Sequence, residues 1–270
     1  MRYQVLVLDL DGTLTNSKKE ITDPTKRALM EIQQAGKIVV LASGRPINGV
    51  APLAEELELE KYGGYMLSFN GARITQCSTS RLIYNRTVPQ EVIRPIFEYV
   101  RDLKGVNIIS YSDTEIFSAK SPCKYTMLES RINNMNVVVP DDFPASLPSS
   151  VNKLLLPGEP EALEALMPKL KAQYHGLLSI YRSEPFFLEI MPQNIDKATS
   201  LQKLLNSLGM TADEMICCGD GYNDVSMIEY AGLGVAMGNA QPAVKDSADF
   251  VTRTNDEDGI LHVINLFMRD

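Results

Sequence analysis

Two acidic segments near opposite ends of the chain have the residue types and spacing that metal-dependent phosphoryl transfer requires. Residues 9–14 read DLDGTL and residues 219–224 read GDGYND, and each segment follows an apolar run. Side chains alternate between the faces of a strand, so Asp9 and Asp11 should leave the preceding strand on the same side. Neighbouring carboxylates repel each other unless a cation lies beside them, and a hard cation with oxygen ligands is the usual partner. The second segment supplies two further carboxylates, Asp220 and Asp224. The pair of segments therefore predicts a magnesium-dependent phosphotransferase.

A third segment, residues 43–46 (SGRP), has the features of a phosphate site. Ser43 offers a hydroxyl donor and Gly44 an unhindered backbone N–H, while Pro46 begins a predicted helix whose N-terminus favours an anion. All three segments follow predicted strands, and ligands of open parallel sheets bind beyond the carboxyl ends of the strands. Asp and Gly after a strand are also common as turn and cap residues, so the combination of segments carries the prediction.

The elements that must position these residues alternate between strand and helix in the two outer parts of the chain. Near-continuous apolar strands separated by helices predict a doubly wound, Rossmann-like parallel α/β sheet covered on both faces. The pattern changes in the middle, where a separate mixed α/β section follows. We therefore predict a discontinuous core at residues 1–83 and 189–270, with an inserted α/β cap domain at 84–188.

Two local features of the sequence give sharper structural predictions. Asn70-Gly71 is a strong turn signal, and it predicts that the chain reverses there into an antiparallel strand. Cys217 and Cys218 are neighbours on a predicted strand, so their side chains should point to opposite faces and act as small buried hydrophobes. The Pro-rich and polar stretch 133–150 is predicted to be irregular.

The overall charge and hydrophobicity exclude several classes of protein. The 34 acidic and 26 basic residues give a net charge of −8, which argues against nucleic acid or an anionic membrane as the partner. No apolar run approaches the length that spans a bilayer, and acidic residues interrupt the first apolar stretch where a secretory signal would be continuous. A cytoplasmic location is expected. The oligomeric state is left open.

The chain resembles the haloacid dehalogenase superfamily, whose phosphatases carry four motifs in this order. Residues 9–14, Ser43, Lys197 and residues 219–224 match the four motifs. The chain is more closely similar to the Cof-type sugar phosphatases. That closer similarity rests on residues 42–46 (ASGRP), 69–72 (FNGA), 189–192 (EIMP), 231–240 (AGLGVAMGNA) and 255–259 (NDEDG).

The resemblance implies a role for each matching residue. Asp9 would be the nucleophile that forms an aspartyl-phosphate, and Asp11 would protonate the leaving oxygen and then activate water. Mg²⁺ would bind the Asp9 carboxylate, the Asp11 backbone carbonyl and Asp220, with Asp224 as a direct or water-mediated ligand. The substrate, a small phosphorylated metabolite such as a sugar phosphate, would be bound by Leu10, Ser43, Gly44, Arg45, Lys197 and Asn223.

Two alternatives and one departure from the family pattern accompany this interpretation. A phosphomutase of the same superfamily would return the phosphate to its sugar, and a phosphosugar sensor would bind without turnover. The four charged motif residues weigh against a sensor, since binding needs no nucleophile. The family often has GVSKG around the third motif, whereas residues 194–198 read NIDKA, which places Asp196 beside Lys197.

Overall fold

The structure is a computed structural model, and it describes residues 2–269. The chain forms two compact units. Unit 1 comprises the described residues of Met1–Gly44, Val50–Tyr84 and Asp196–Asp270, and unit 2 comprises Arg45–Gly49 and Asn85–Ile195. In the part of the chain that the structure describes, no helix is both long and apolar enough to cross a membrane.

The regular elements number β1–β14 and α1–α11 in chain order within the described residues. The strands are β1 (Val5–Leu8), β2 (Ile38–Ala42), β3 (Tyr65–Ser68), β4 (Arg73–Gln76), β5 (Leu82–Asn85), β6 (Ile109–Tyr111), β7 (Glu115–Ser118), β8 (Asn136–Val138), β9 (Leu154–Pro157), β10 (Leu178–Glu184), β11 (Phe187–Pro192), β12 (Met215–Gly219), β13 (Leu233–Ala236) and β14 (Phe250–Val251). The helices are α1 (Asp23–Gln34), α2 (Ile47–Glu56), α3 (Leu59–Tyr62), α4 (Gln90–Val100), α5 (Lys124–Asn133), α6 (Phe143–Ser146), α7 (Pro160–Gln173), α8 (Lys197–Leu208), α9 (Val225–Tyr230), α10 (Pro242–Asp246) and α11 (Gly259–Phe267).

Unit 1 is built on one sheet with the strand order β14-β13-β12-β1-β2-β3-β4-β5. The pairs from β14 to β3 are parallel. Strand β1 is fully buried, and its residues alternate between two apolar clusters, Leu6 and Leu8 in one and Val5 and Val7 in the other. Because helices cover both faces, every position of this strand is apolar. The predicted doubly wound core is confirmed.

Cys217 and Cys218 lie in different apolar clusters, so the prediction that their side chains face opposite sides of the sheet is confirmed. Both are free thiols and fully buried. Burial raises the pKa of both thiols far above its ordinary value, which keeps them protonated and unreactive. They are packing residues of β12.

The chain reverses at Asn70-Gly71, as predicted, and β3 pairs with β4 in antiparallel register. The connection is longer than a two-residue hairpin, since β3 ends at Ser68 and β4 begins at Arg73. Phe69, Asn70 and Gly71 have φ values of 53°, 52° and 101°. This run of left-handed residues is unfavourable for side chains with a Cβ, and such strain collects at functional sites.

Unit 2 contains a second sheet in the order β10-β11-β9-β6-β7-β8. Its pairs are antiparallel except for β7 and β8. Helices α4 and α7 contribute Ile93, Ile96, Leu163 and Leu170 to an apolar cluster that includes alternate residues of the central strands. One face of this sheet is therefore packed on helices.

Sequence patterns missed part of unit 2. Helix α5 was not predicted, and the stretch expected to be irregular contains β8 and α6. The physical reason is that α5 buries the polar residues Thr126, Glu129 and Asn133, so it has no apolar periodicity to detect. The unit also extends through Ile195. The boundary expected between residues 188 and 189 falls inside β11, which is hydrogen-bonded to β10 and β9.

Candidate active site

The parallel register of unit 1 brings three loops to one edge of the sheet. Leu8, at the end of β1, is paired with Leu41 of β2 on one side and with Cys218 of β12 on the other. Asp9, the loop at Ser43 and Asp220 therefore follow neighbouring strands at the same level. Pairing between strands that are remote in sequence thus brings the three predicted loops to one edge of the sheet.

Lys197 lies at the centre of the site, although its side chain has no access to solvent. Its Nζ donates to Asp9 Oδ1 at 2.6 Å, to Asp224 Oδ1 at 2.6 Å and to the Ala42 carbonyl at 2.8 Å. All three ammonium protons have an acceptor, so the buried charge is fully paired. Asp196, the departure from the family pattern, is the N-cap of α8 and accepts from Thr199 N at 2.8 Å. It thereby fixes the start of the helix that carries Lys197.

The buried charges shift the acidity of these groups. Burial raises the pKa of Asp9 well above its ordinary value and repulsion from Asp224 adds to the rise, while the charge and the hydrogen bond of Lys197 oppose it. Burial also raises the pKa of Asp220, while the hydrogen bond from Thr13 opposes the rise. For Lys197, burial acts to lower the pKa, but Asp224 and Asp9 outweigh it and raise the pKa. The site holds more negative charge than one ammonium balances.

The Asp224 carboxylate is held on both oxygens. Its Oδ1 accepts from Lys197, and its Oδ2 accepts from the backbone N–H groups of Asp220 at 3.0 Å and Gly221 at 2.9 Å. The carboxylate thus closes the loop 219–224 on itself. Asp224 is nearly inaccessible, with 1% of its surface exposed.

The conformation of the segment 9–14 fits around Asp220. Thr13 Oγ1 donates to Asp220 Oδ1 at 2.8 Å. Gly12 has a φ of 83°, and a methyl group at this position would overlap the Asp220 carboxylate. Glycine is therefore required at position 12 for two reasons: the backbone there is left-handed, and the Asp220 carboxylate approaches it closely.

Three carboxylates form a cluster in which a cation could bind. One oxygen each from Asp9, Asp220 and Asp224 lies within 4.8 Å of the others. The side chain of Asp11 is outside this group, and its Oδ1 accepts from Lys19 Nζ at 2.7 Å. This position is compatible with an Asp11 contribution through the backbone carbonyl, which remains a prediction.

The predicted phosphate loop lies beside the turn at Asn70. Ser43 is buried, its N–H donates to the Leu67 carbonyl at 2.8 Å, and its own carbonyl accepts from Asn70 N at 2.9 Å. Asn223 Nδ2 donates to Asn70 Oδ1 at 3.2 Å. A side chain on Gly44 would meet the Asn70 amide at 3.1 Å. Asn70 is thus hydrogen-bonded to both Ser43 and Asn223, two of the residues predicted to bind phosphate.

The side chains of the other two predicted substrate-binding residues, Leu10 and Arg45, are buried or hydrogen-bonded elsewhere. Leu10 has a fully buried side chain, and its carbonyl accepts from Thr15 N at 3.0 Å, so only its backbone is available for binding. Arg45 belongs to the segment that clusters with unit 2, and its guanidinium donates to the Gly49 carbonyl at 3.1 Å. A role for Arg45 in binding substrate stays a prediction.

Sequence reasoning assigned no role to several residues that hold the segment 9–14 in place. Asn239 Nδ2 donates to the Gly12 carbonyl at 2.8 Å, and Asn255 Nδ2 donates to the Thr15 carbonyl at 2.9 Å. The two are linked, because Asn255 N donates to Asn239 Oδ1 at 3.0 Å. Both asparagines lie in segments that match the family, and this match is the sequence feature that could have identified them. Lys19 carried no such signal.

Comparisons with known proteins agree on one family. The sequence model of the family described as haloacid dehalogenase-like hydrolase matches residues 6–264. The 5-amino-6-(5-phospho-D-ribitylamino)uracil phosphatase YcsE of Bacillus subtilis is 30% identical over 261 residues, which are 97% of this chain and 94% of the relative.

Solved structures give the same result. A haloacid dehalogenase-like hydrolase from Bacteroides thetaiotaomicron is 44% identical with a TM-score of 0.94, over 98% of this chain and 99% of that one. The subclass IIB sugar phosphatase BT4131 is 25% identical with a TM-score of 0.80, over 98% and 99% of the two chains. The similarity in each case covers both units.

Proposed function

The chain belongs to the haloacid dehalogenase-like hydrolase family and is a phosphatase, and from that premise we propose that it is a magnesium-dependent enzyme that hydrolyses a small phosphorylated metabolite through an aspartyl-phosphate on Asp9. The observation that carries this proposal is the buried contact of Lys197 with Asp9 and Asp224. A carboxylate that is to attack phosphorus must be positioned and ionised. The ammonium positions Asp9 and opposes the rise of its pKa that burial and Asp224 cause.

The donor set of the site fits magnesium. Asp9, Asp220 and Asp224 offer carboxylate oxygens, which Mg²⁺ prefers, and their mutual repulsion leaves negative charge that a cation would offset. We propose that Asp9, Asp220 and the Asp11 backbone carbonyl would bind the ion. Both oxygens of Asp224 are already engaged, which favours contact through water. When bound, the ion would supply charge neutralisation at the phosphoryl oxygens.

The reaction assigned to the chain's own residues has two steps. In the first, an Asp9 carboxylate oxygen forms a bond to phosphorus as the bond to the leaving oxygen breaks, and Asp11 gives that oxygen a proton. In the second, water attacks the aspartyl-phosphate, its proton passes to Asp11, and the Asp9 carboxylate is released with inorganic phosphate. Ser43 and Asn223 would bind the phosphoryl oxygens throughout. Lys197 would have to exchange one of its three acceptors to join them, because Asp9, Asp224 and the Ala42 carbonyl already occupy its ammonium protons.

We further propose that unit 1 carries the chemistry and unit 2 selects the metabolite, because all four motifs lie in unit 1. Two polar side chains of unit 2 that could otherwise contact a substrate have partners within that unit. Lys120 Nζ donates to the Val106 carbonyl at 2.7 Å, and the Tyr181 hydroxyl donates to Glu189 at 3.0 Å. Sugar phosphates are the first substrates to test, since a subclass IIB relative is a sugar phosphatase.

A phosphate-release screen over phosphorylated metabolites tests the proposal. The panel should include sugar phosphates and the ribitylaminouracil phosphate on which YcsE acts. We expect inorganic phosphate to be released in the presence of Mg²⁺. Transfer of the phosphate to another position of the same sugar, without release, would instead identify a mutase. Absence of turnover across a broad panel, with Mg²⁺ bound, would contradict the proposal.

A further inference from the structure

The Asp11 carboxylate is held by a lysine that belongs to none of the four motifs. Lys19 Nζ donates to Asp11 Oδ1 at 2.7 Å, and the two side chains are 62% and 40% exposed. An exposed ion pair of this kind contributes little to folding stability. Its position on the residue assigned to proton transfer suggests a functional role instead.

The turn that presents Lys19 is closed by several hydrogen bonds. Asn16 N donates to the Glu20 carbonyl at 3.0 Å, and Lys19 N donates to the Asn16 carbonyl at 2.9 Å. Asn16 Oδ1 also accepts from the N–H groups of Lys18 and Glu20. Lys19 itself has a φ of 65°, a left-handed conformation that is uncommon for a residue with a Cβ. The backbone under the Lys19 side chain is therefore fixed.

This turn is also attached to other parts of unit 1. Ser17 N donates to Asp256 Oδ1 at 2.8 Å. Thr15, just before the turn, forms an isolated parallel bridge with Asp11 and binds the Leu10 carbonyl through its hydroxyl at 2.9 Å. The start of the turn and the acidic segment thus share one framework, which keeps Lys19 within reach of Asp11.

The place of the Asp11 carboxylate matters because a cluster of three carboxylates lies nearby. Asp9, Asp220 and Asp224 lie together, and the Asp11 side chain is outside their group. A fourth carboxylate that turned into the cluster would become a metal ligand. It would then no longer be available to protonate a leaving oxygen.

We propose that Lys19 is a positioning residue that keeps the Asp11 carboxylate out of the metal cluster and available to the leaving group. This inference rests on the proposed function, in which Asp11 transfers the proton. Lys19 itself forms no bond to the substrate and transfers no proton. When the P–O bond breaks, the electron pair stays with the leaving oxygen, which receives its proton from Asp11.

The kinetic test compares Lys19→Met with the matched control Lys18→Met. Lys18 is exposed, neighbours Lys19 in the same turn and carries the same charge, and its side chain has no hydrogen-bond partner among residues 2–269. Each variant is assayed with an alkyl phosphate substrate and with p-nitrophenyl phosphate, whose leaving group needs no proton. We expect Lys19→Met to lower kcat/KM for the alkyl phosphate by about 10-fold, a fraction of the usual contribution of general acid catalysis. The value for p-nitrophenyl phosphate should change by less than about threefold, and Lys19→Arg should restore the alkyl phosphate rate.

A second readout is Mg²⁺ binding without substrate, measured by calorimetry. Lys19→Met should bind Mg²⁺ at least about threefold more tightly than Lys18→Met, since the released Asp11 carboxylate can join the cluster. Combining Lys19→Met with Asp11→Asn should remove this gain, which separates release of the carboxylate from the loss of one positive charge.

Either of two results would overturn the inference. One is a Lys19→Met enzyme whose kcat/KM is unchanged or falls equally with both substrates. The other is Mg²⁺ binding that matches the Lys18→Met control. If one of these results is found while Asp9→Asn and Asp11→Asn are inactive, the proposed role of Lys19 is wrong and the proposed function stands. If Asp9→Asn remains active, the proposed function itself fails.

Discussion

Replacing the nucleophile by its neutral isostere should abolish activity and at the same time stabilise the metal-free protein. In Asp9→Asn the side chain keeps its shape but can no longer form an acyl phosphate. Phosphate release should fall on the order of 10⁴-fold or more, as when other covalent nucleophiles are removed. Stability should rise because the charge of Asp9 is costly: burial and Asp224 raise its pKa more than Lys197 lowers it.

The pH dependence of this effect has a definite sign. The folded-state pKa of Asp9 lies above its value in the unfolded chain, so folding favours the protonated form. The stabilisation from protonated Asp9 is fully present below the unfolded-state pKa and is lost as the pH rises through the raised folded-state pKa. The amide that replaces the carboxyl group in Asp9→Asn stays neutral throughout. At about pH 8 in EDTA, where the wild type carries the costly buried charge of Asp9, the variant should therefore be more stable than the wild type.

Urea unfolding in EDTA at about pH 8 and about pH 4, together with a phosphate-release assay, measures both effects. The stability difference should shrink at the lower pH, where Asp9 in the wild type is closer to neutral. Asp246→Asn is the matched control, since Asp246 is exposed and its replacement removes the same charge. Mg²⁺ should stabilise the wild type more than Asp9→Asn, because it binds the ionised carboxylate. Appreciable activity in Asp9→Asn, or a variant less stable than wild type at about pH 8, would refute the reasoning.

Three further predictions concern the metal, a glycine and a buried ion pair. EDTA should abolish turnover and Mg²⁺ restore it, with Ca²⁺ a poor substitute because of its looser geometry; full activity in protein shown to be free of metal would contradict this. Gly12→Ala should weaken Mg²⁺ binding in calorimetry, because the added methyl group displaces Asp220. Gly36→Ala is the control, since Gly36 has a similar φ of 84° but open space around it, and it should leave Mg²⁺ binding unchanged. Equal losses of Mg²⁺ affinity in the two variants would mean that the overlap with Asp220 is not the cause. Glu189→Gln should lower the free energy of unfolding by about 3–5 kcal/mol in urea titrations. The reason is that Lys153 is buried, and its Nζ would lose the Glu189 carboxylate oxygen that lies 3.5 Å away. The double variant Lys153→Met, Glu189→Met removes both charges and should lose much less stability.

The sequence predicted the residues of the site that lie in its motifs. Lys197 is within hydrogen-bonding distance of Asp9, which lies 188 residues away in the chain, and of Asp224, which lies 27 residues away. Their residue types follow strand ends and a helix start, which are features that local patterns reveal. The assignment of roles to them remains a prediction, which the variants above address.

Sequence patterns missed the parts of the structure in which polar side chains are buried or hold the backbone through hydrogen bonds. Helix α5 buries Glu129, which accepts from Tyr111 at 2.6 Å, so its buried face has no hydrophobic period. Lys19 looked like any solvated lysine of a polar turn. Only the closure of that turn, through Asn16, shows that its side chain reaches Asp11.

The sequence by itself determined the doubly wound core, because a strand buried on both faces must be apolar at every position and the helices between strands keep their own period. It also determined which loops carry the acidic and phosphate-binding residues. Tertiary structure alone decided which oxygens Lys197 engages, that the Asp11 carboxylate pairs with Lys19, and that Gly12 has no room for a side chain beside Asp220. Those outcomes depend on distances between segments remote in the chain. They are set by strand register and by the balance of buried charge, which no local pattern of residues encodes.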